Sequence, residues 1–225
     1  TLRSKISKDF HEEPFLSIIT PVFNAESSIL DTIESIKKQS FKNYEYIIID
    51  SNSNDGTSNI IGQNRKFVHK YIVEKDKGIY DAMNKGIRNA RGKFIGIINA
   101  DDQYNEDAFI SVYEAFKKCE NQAIFFSDLI VKYLSNKIIM KADNKISSLG
   151  SGTSQISHPT MFVPREIYLK YGGFDLNFDT YGADRELVLR LKNKKIKFVK
   201  IDNELSIFNF GGATSKYGLE NIFKQ

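Results

Sequence analysis

The chain has 225 residues, 41% of them hydrophobic and 27% charged, enough for one large α/β domain with its own core. A net charge of +4, spread along the sequence, reads as a solvated surface and argues against a nucleic-acid partner, while it suits peripheral association with anionic lipid. The single cysteine, Cys119, excludes an internal disulfide and has no CxxC partner, so a reducing, cytoplasmic setting is expected, and no apolar run reaches the roughly 18–20 residues that cross a bilayer.

Residues 1–14 are polar and read as a flexible arm; the start, Thr1-Leu2-Arg3-Ser4-Lys5, lacks the apolar region of a signal peptide. Leu16-Ser17-Ile18-Ile19-Thr20 predicts a first strand closed by Pro21. Ile29, Leu30, Ile33 and Ile36 recur at helical spacing, and Ser28 with Asp31 offers a capping box. Tyr46-Ile47-Ile48-Ile49 predicts a second strand, which breaks at Asp50 into the turn-rich Ser51-Asn52-Ser53-Asn54-Asp55-Gly56-Thr57. A third strand is expected from Phe67 to Val73. Ile79, Met83, Ile87 and Ala90 then mark a helix ending at Gly92. The strand Phe94–Ile98 follows, then a helix on Phe109, Val112, Tyr113 and Phe116.

Strand and helix alternate through about residue 118, the signature of a parallel sheet covered by helices. The second half is less regular. Strands are expected at 123–131 and 137–141, a mobile Gly/Ser-rich loop at 143–157, and a short strand at Met161-Phe162-Val163. Helices are expected at Arg165–Tyr171 and from Ala183 to Leu191. No repeat or linker divides the chain, so 1–225 reads as one domain with a nucleotide-type half (15–118) and an acceptor-type half (119–225).

The chemistry concentrates in carboxylates. GxxxxGK[ST], GxGxxG, HExxH and GxSxG are all absent. The buried-strand pattern Phe94–Ile98 ends in Asn99-Ala100-Asp101-Asp102, and two adjacent carboxylates repel unless a cation or a donor-rich ligand joins them. A strand C-terminus in an open α/β sheet is also where ligands bind, so a hard metal ion with a phosphate beyond it is the first expectation. Asp50 ends an earlier strand on the same edge, as a site residue or as the cap of its turn. Asp184 precedes Leu187, Val188 and Leu191 by three, four and seven residues, which puts it on the apolar face of its helix, as an N-cap or as a base aimed into a cleft. Glu186 is expected to face solvent.

Together these pieces resemble a GT-A fold, family 2 glycosyltransferase of the capsule, O-antigen and exopolysaccharide type. The resemblance rests on Ser17-Ile18-Ile19-Thr20-Pro21-Val22-Phe23-Asn24, Ile49-Asp50-Ser51-Asn52-Ser53-Asn54-Asp55-Gly56-Thr57 and Asp76-Lys77-Gly78-Ile79-Tyr80-Asp81-Ala82-Met83-Asn84-Lys85-Gly86-Ile87. It continues with Asn99-Ala100-Asp101-Asp102, Gly172-Gly173-Phe174-Asp175, and Gly182-Ala183-Asp184 before Leu189-Arg190-Leu191. The ordered set covers about residues 15–192. It implies a Rossmann-like, mostly parallel central sheet flanked by helices, with a less regular acceptor-binding second half.

It also implies an inverting transfer from a nucleotide sugar, UDP-linked by default, to a glycan or lipid-linked acceptor at the inner face of a bacterial membrane. Hexosyl and N-acetylhexosaminyl transfer are both compatible. By this resemblance Asp101 meets the ribose, Asp102 holds Mg²⁺ or Mn²⁺, and Asp184 is the base. Thr20, Pro21 and Phe23 line the nucleoside, with Asp50, Ser51 and Asp76 near its base. Where many members carry a second Asp that contacts uracil this chain has Ser51, and Met83 stands where many have Arg. His158 is a further candidate for metal or phosphate contact, and Gly211-Gly212 for a loop over the diphosphate. An inactive sugar-nucleotide binder and a sugar nucleotidyltransferase are the rival readings. Retention of Asp101, Asp102 and Asp184 argues against the first. Pro21-Val22-Phe23-Asn24, in place of a Gly-rich basic loop, argues against the second.

Overall fold

The computed structural model describes residues 13–119, 123–133, 136–143, 156–178 and 182–210. The first half runs β1 (Leu16–Val22), α1 (Ile29–Lys37), β2 (Tyr44–Asp50), α2 (Thr57–Gln63), β3 (Lys70–Val73), α3 (Ile79–Asn89) and β4 (Phe94–Ile97). It continues with the two-residue β5 (Gln103–Tyr104) and α4 (Ala108–Lys118). The second half holds β6 (Ala123–Tyr133), β7 (Asn136–Met140), a single 3₁₀ turn at His158–Thr160, and β8 (Phe162–Pro164). α5 (Arg165–Tyr171), α6 (Ala183–Asn193) and β9 (Lys197–Asn209) complete it.

One mixed sheet carries both halves in the order β3-β2-β1-β4-β8-β6-β9-β5, with β7 hairpinned onto β6. The first four strands are parallel, so their C-terminal ends share one edge. β8 joins β4 antiparallel, and β6 and β9 run parallel to each other beyond it. Successive side chains of a strand face opposite sides, so an unbroken apolar run feeds two cores. Ile18 and Ile48 pack with Ile29, Ile33 and Phe109 beneath α1 and α4. Ile19 and Ile47 pack with Met83, Ile87, Leu187 and Val188 beneath α3 and α6. Among the described residues no helix is long and apolar enough to cross a membrane.

Four local expectations change. Pro21 does not close β1; it pairs with Ile49 of β2 inside the strand. β4 pairs with β1 only through Ile19, so on that side Pro21 has no strand needing its missing N–H. The capping box at Ser28 and Asp31 does not form: Ser28 makes no side-chain cap bond, and the Asp31 N–H donates to the Ser28 carbonyl instead. α2 follows directly on the turn-rich 51–57 segment, where no helix was expected. β9 gave no strand signal, because charged residues interrupt its apolar positions and it is largely part-exposed. The 1–14 arm (bar Glu13 and Pro14) and most of the 143–157 loop lie outside the described residues.

Candidate active site

A cleft of about 870 Å³ opens over the C-terminal edge of the parallel strands. Pro21 and Phe23 enter it from the end of β1, Ser51 from the end of β2, Asp76 from beyond β3, and Asp101 from the segment after β4. Each follows a parallel strand, which is why residues 80 apart in sequence share one space. The Ser51 hydroxyl accepts the Asp76 backbone N–H at 3.4 Å, and the Asp76 carboxylate accepts the Gly78 N–H at 2.9 Å, shaping the wall where α3 begins.

Two expected lining residues lie elsewhere. Thr20 is fully buried, because β1 runs on past it, and its hydroxyl accepts the Tyr46 hydroxyl proton at 3.1 Å. Asp50 is buried as well. One carboxylate oxygen accepts the Ser53 N–H and hydroxyl at 2.8 and 2.7 Å, and the other accepts the Tyr71 hydroxyl at 2.7 Å. Asp50 therefore braces its turn, as the capping reading has it, and does not line the cleft.

The acidic pair is split in depth. Asp101 lines the cleft, whereas Asp102 is buried just beneath it. Asp102 Oδ1 accepts the Asn209 N–H at 3.1 Å, while Oδ2 has no hydrogen-bond partner among the described residues. The Asn209 side chain donates to the Asp101 carbonyl at 2.6 Å, and Thr32 Oγ1 donates to the Asp102 carbonyl at 2.7 Å. Burial pushes the Asp102 carboxyl well above the usual range, and the Asp101 charge adds to this against the Asn209 N–H. Asp101 is raised too, chiefly by burial, with its own backbone N–H and the nearby His158 opposing.

A buried, unpartnered carboxylate oxygen beside a second carboxylate fits a hard cation, since both the charge and the lone pair lack a complement. Among the described residues no group of three or more His, Cys, Asp or Glu gathers there. Asp101 and Asp102 are the carboxylates that would hold such a cation.

Asp184 stands in the first turn of α6, behind Gly182, whose φ of +98° strains any residue with a Cβ. Leu187, Val188 and Leu191 are buried on its side of the helix, as the spacing predicts. Asp184 Oδ1 accepts the Arg185 N–H at 2.9 Å, and Oδ2 lies 3.8 Å from His158 Nδ1. Burial alone would raise Asp184, but His158 and the N–H groups of the helix start outweigh it and hold the carboxyl below its ordinary value. His158 Nε2 is buried without a hydrogen-bond partner among the described residues, and the ring acts on Asp101 as well as on Asp184. The structure thus brings His158 between the acidic pair and Asp184.

The floor under Asp184 is shared by distant motifs. Tyr80 stacks on Phe174 at 5.4 Å, and its hydroxyl faces the backbone N–H groups of residues 182–184. Burial pushes the Tyr80 hydroxyl up to about 12. The Asn84 amide bonds Phe174 on both sides, donating to its carbonyl at 2.8 Å and accepting its N–H at 2.9 Å. A Cβ on Gly173 would collide with that amide. Arg190 clamps Glu186 at 2.7 Å and the Tyr171 and Gly173 carbonyls, so Glu186 is a part-buried ion-pair partner and not the solvent-facing residue expected.

The sequence analysis missed the far wall of the cleft, formed by Lys132, Asn209 and Phe210. No local signal marks them, since β9 reaches the acidic pair from 107 residues away. Gly211 and Gly212 lie outside the described residues, though Phe210 just before them lines the cleft.

The sequence profile of glycosyl transferase family 2 matches residues 17–158, from the first cleft-forming strand to His158. The chain belongs to glycosyl transferase family 2. Among relatives of this family, it is 34% identical to an uncharacterized glycosyltransferase of Rickettsia conorii over 96% of this chain and 36% of that protein. It is 36% identical to TuaG of Bacillus subtilis, whose name assigns it to teichuronic acid biosynthesis, over 42% of this chain and 39% of TuaG. The chain therefore spans well under half the length of these relatives.

The family 2 fold is also that of Staphylococcus aureus TarS, matched at a TM-score of 0.72 with 16% identity over 86% of this chain and 36% of TarS. The fold is thus a GT-A-like α/β architecture, as the sequence motifs imply. TarS 1–349 in complex with UDP-GlcNAc superposes with a TM-score of 0.68 and 18% identity, over 86% of this chain and 58% of the other.

Proposed function

We propose that this family 2 domain is an inverting glycosyltransferase. It moves a hexosyl or N-acetylhexosaminyl unit from a nucleotide diphosphate sugar, with UDP the favoured carrier, to a hydroxyl of a glycan or lipid-linked acceptor in surface polysaccharide synthesis. The observation that carries the reading is the contrast within one site. Asp102, buried beneath the cleft with one oxygen unpartnered among the described residues, adjoins Asp101 in the cleft wall, and a separate, charge-stabilised carboxylate stands at the start of α6. UDP-GlcNAc bound to TarS, and the polysaccharide pathway named for TuaG, support the donor and product class.

In this reading Pro21, Phe23, Ser51 and Asp76 border the nucleoside and Asp101 meets the ribose. Asp102 would hold Mg²⁺ or Mn²⁺. When bound, that cation offsets the charge that grows on the leaving diphosphate. Asp184 accepts the acceptor hydroxyl proton as that oxygen bonds to the anomeric carbon, and the bond from that carbon to the phosphate oxygen breaks on the opposite face. His158 favours the ionised form of Asp184, so the base is ready before the acceptor arrives. The work would take place on the cytoplasmic side of a membrane, where nucleotide sugars are available.

Thermal-shift screening of nucleotide sugars with and without Mn²⁺ tests the donor class. The true donor raises the melting temperature, and raises it further with the metal. A protein indifferent to every nucleotide sugar would contradict the proposal.

A further inference from the structure

Lys132 lies near the end of β6, in parallel register with Asn209 of β9. Its carbonyl accepts the Phe210 N–H at 2.8 Å, which keeps the strand pair closed at the rim of the cleft. Asn209 in turn binds the Asp101 carbonyl through its side chain and the Asp102 carboxylate through its backbone. Lys132 is therefore one strand spacing, about 5 Å, from the residue that fastens the acidic pair. The other charged residues lining the cleft are Asp31, Asp76 and Asp101, all acidic. Among the described residues Lys132 is the only cationic side chain in that lining, and its ammonium enters no ion pair.

We propose that Lys132 binds the diphosphate of the donor and of the released nucleotide from the wall opposite the parallel strands. The inference rests on the nucleotide-sugar reading. A diphosphate entering a cleft whose other charged lining residues are Asp31, Asp76 and Asp101 meets like charge, and Lys132 is the complement that lining offers. A lysine suits this place: its ammonium has three donors on a flexible stem and can follow phosphate oxygens as the bond to sugar breaks. No sequence motif marks it, because only the long β6–β9 ladder carries it to the cleft.

Calorimetric titration of the full chain with UDP, GDP, CDP and dTDP in Mg²⁺, and with the matching nucleosides, tests this. Lys132→Met and Lys132→Gln are expected to weaken the preferred diphosphate roughly 10- to 100-fold, the range for a lost hydrogen bond to a charged group, and to leave nucleoside affinity unchanged. Lys132→Arg is expected to keep most of the affinity. Unchanged diphosphate binding in both neutral variants overturns the role of Lys132 and leaves the donor reading standing. An equal loss for nucleoside and diphosphate also overturns it, because the residue would then serve the fold or the base. A wild-type protein that binds none of the four overturns both.

Discussion

The two acidic stations of the cleft are built in opposite ways. Asp102 is sunk beneath the parallel sheet edge, next to Asp101, with one N–H partner and one bare oxygen, so its charge is disfavoured. Asp184 is part-exposed at a helix start, beside His158 and the Arg185 N–H, so its charge is favoured. The same side-chain type is thus prepared for two tasks by burial and neighbours alone. One station needs a cation to become stable; the other is already the anion that a proton acceptor must be.

The largest effect should come from Asp184→Asn. Transfer falls by roughly 10²–10⁴-fold or more, while a donor titration gives wild-type affinity. Equal loss of donor binding would merge the two stations.

Asp102→Asn should act in reverse on stability. Because the folded carboxyl lies above its unfolded value, its contribution is fully present below the unfolded value and is lost as pH rises through the folded one. Removing the ionisable group should raise the melting temperature of the metal-free protein at the alkaline end of the pH range and leave it little changed in acid. Calorimetry of the two proteins in chelator checks this.

The acid limbs should also separate. Metal-dependent donor binding should fail as pH drops through the raised Asp102 value, above the ordinary carboxylate range. Asp184, held low, stays ionised there. A pH series of donor titrations beside the profile of the catalytic rate resolves the two limbs. His158→Ala should shift the second more than the first, since the ring bears on Asp184 through a close contact and on Asp101 through charge alone. Without His158, burial dominates Asp184, so the acid limb of turnover moves to higher pH while the donor-binding limb moves little.

The smallest effect on donor binding is that of a structural change. Asn84→Ala removes both bonds to Phe174 under Asp184 and should cost about 1–3 kcal/mol in denaturant unfolding, with donor affinity retained.

What the sequence made readable follows the same division. The parallel half came through almost element by element, because Ile18-Ile19 and Ile47-Ile48-Ile49 serve two cores and so form unbroken apolar runs. Asp101 followed as a strand-end residue, and Pro21, Phe23, Ser51 and Asp76 came from the family resemblance. Depth along a strand was not readable: Thr20 and Asp50 sit one or more residues too early to reach the cleft. The far wall was not readable either, since Asn209 reaches Asp102 only through β9, a strand with a mixed pattern and a register shift against β6. Asp184 was found by its helical spacing, but its partner His158 is 26 residues earlier and meets it only in the fold.

The contrast between the stations is tested most directly by titrating UDP-GlcNAc into wild-type, Asp102→Asn and Asp184→Asn proteins with and without Mn²⁺. Mn²⁺ should strengthen binding to the wild-type and Asp184→Asn proteins alike and should leave Asp102→Asn unaffected. An Asp102→Asn protein that keeps the full Mn²⁺ response would contradict the assignment of the buried carboxylate to the cation.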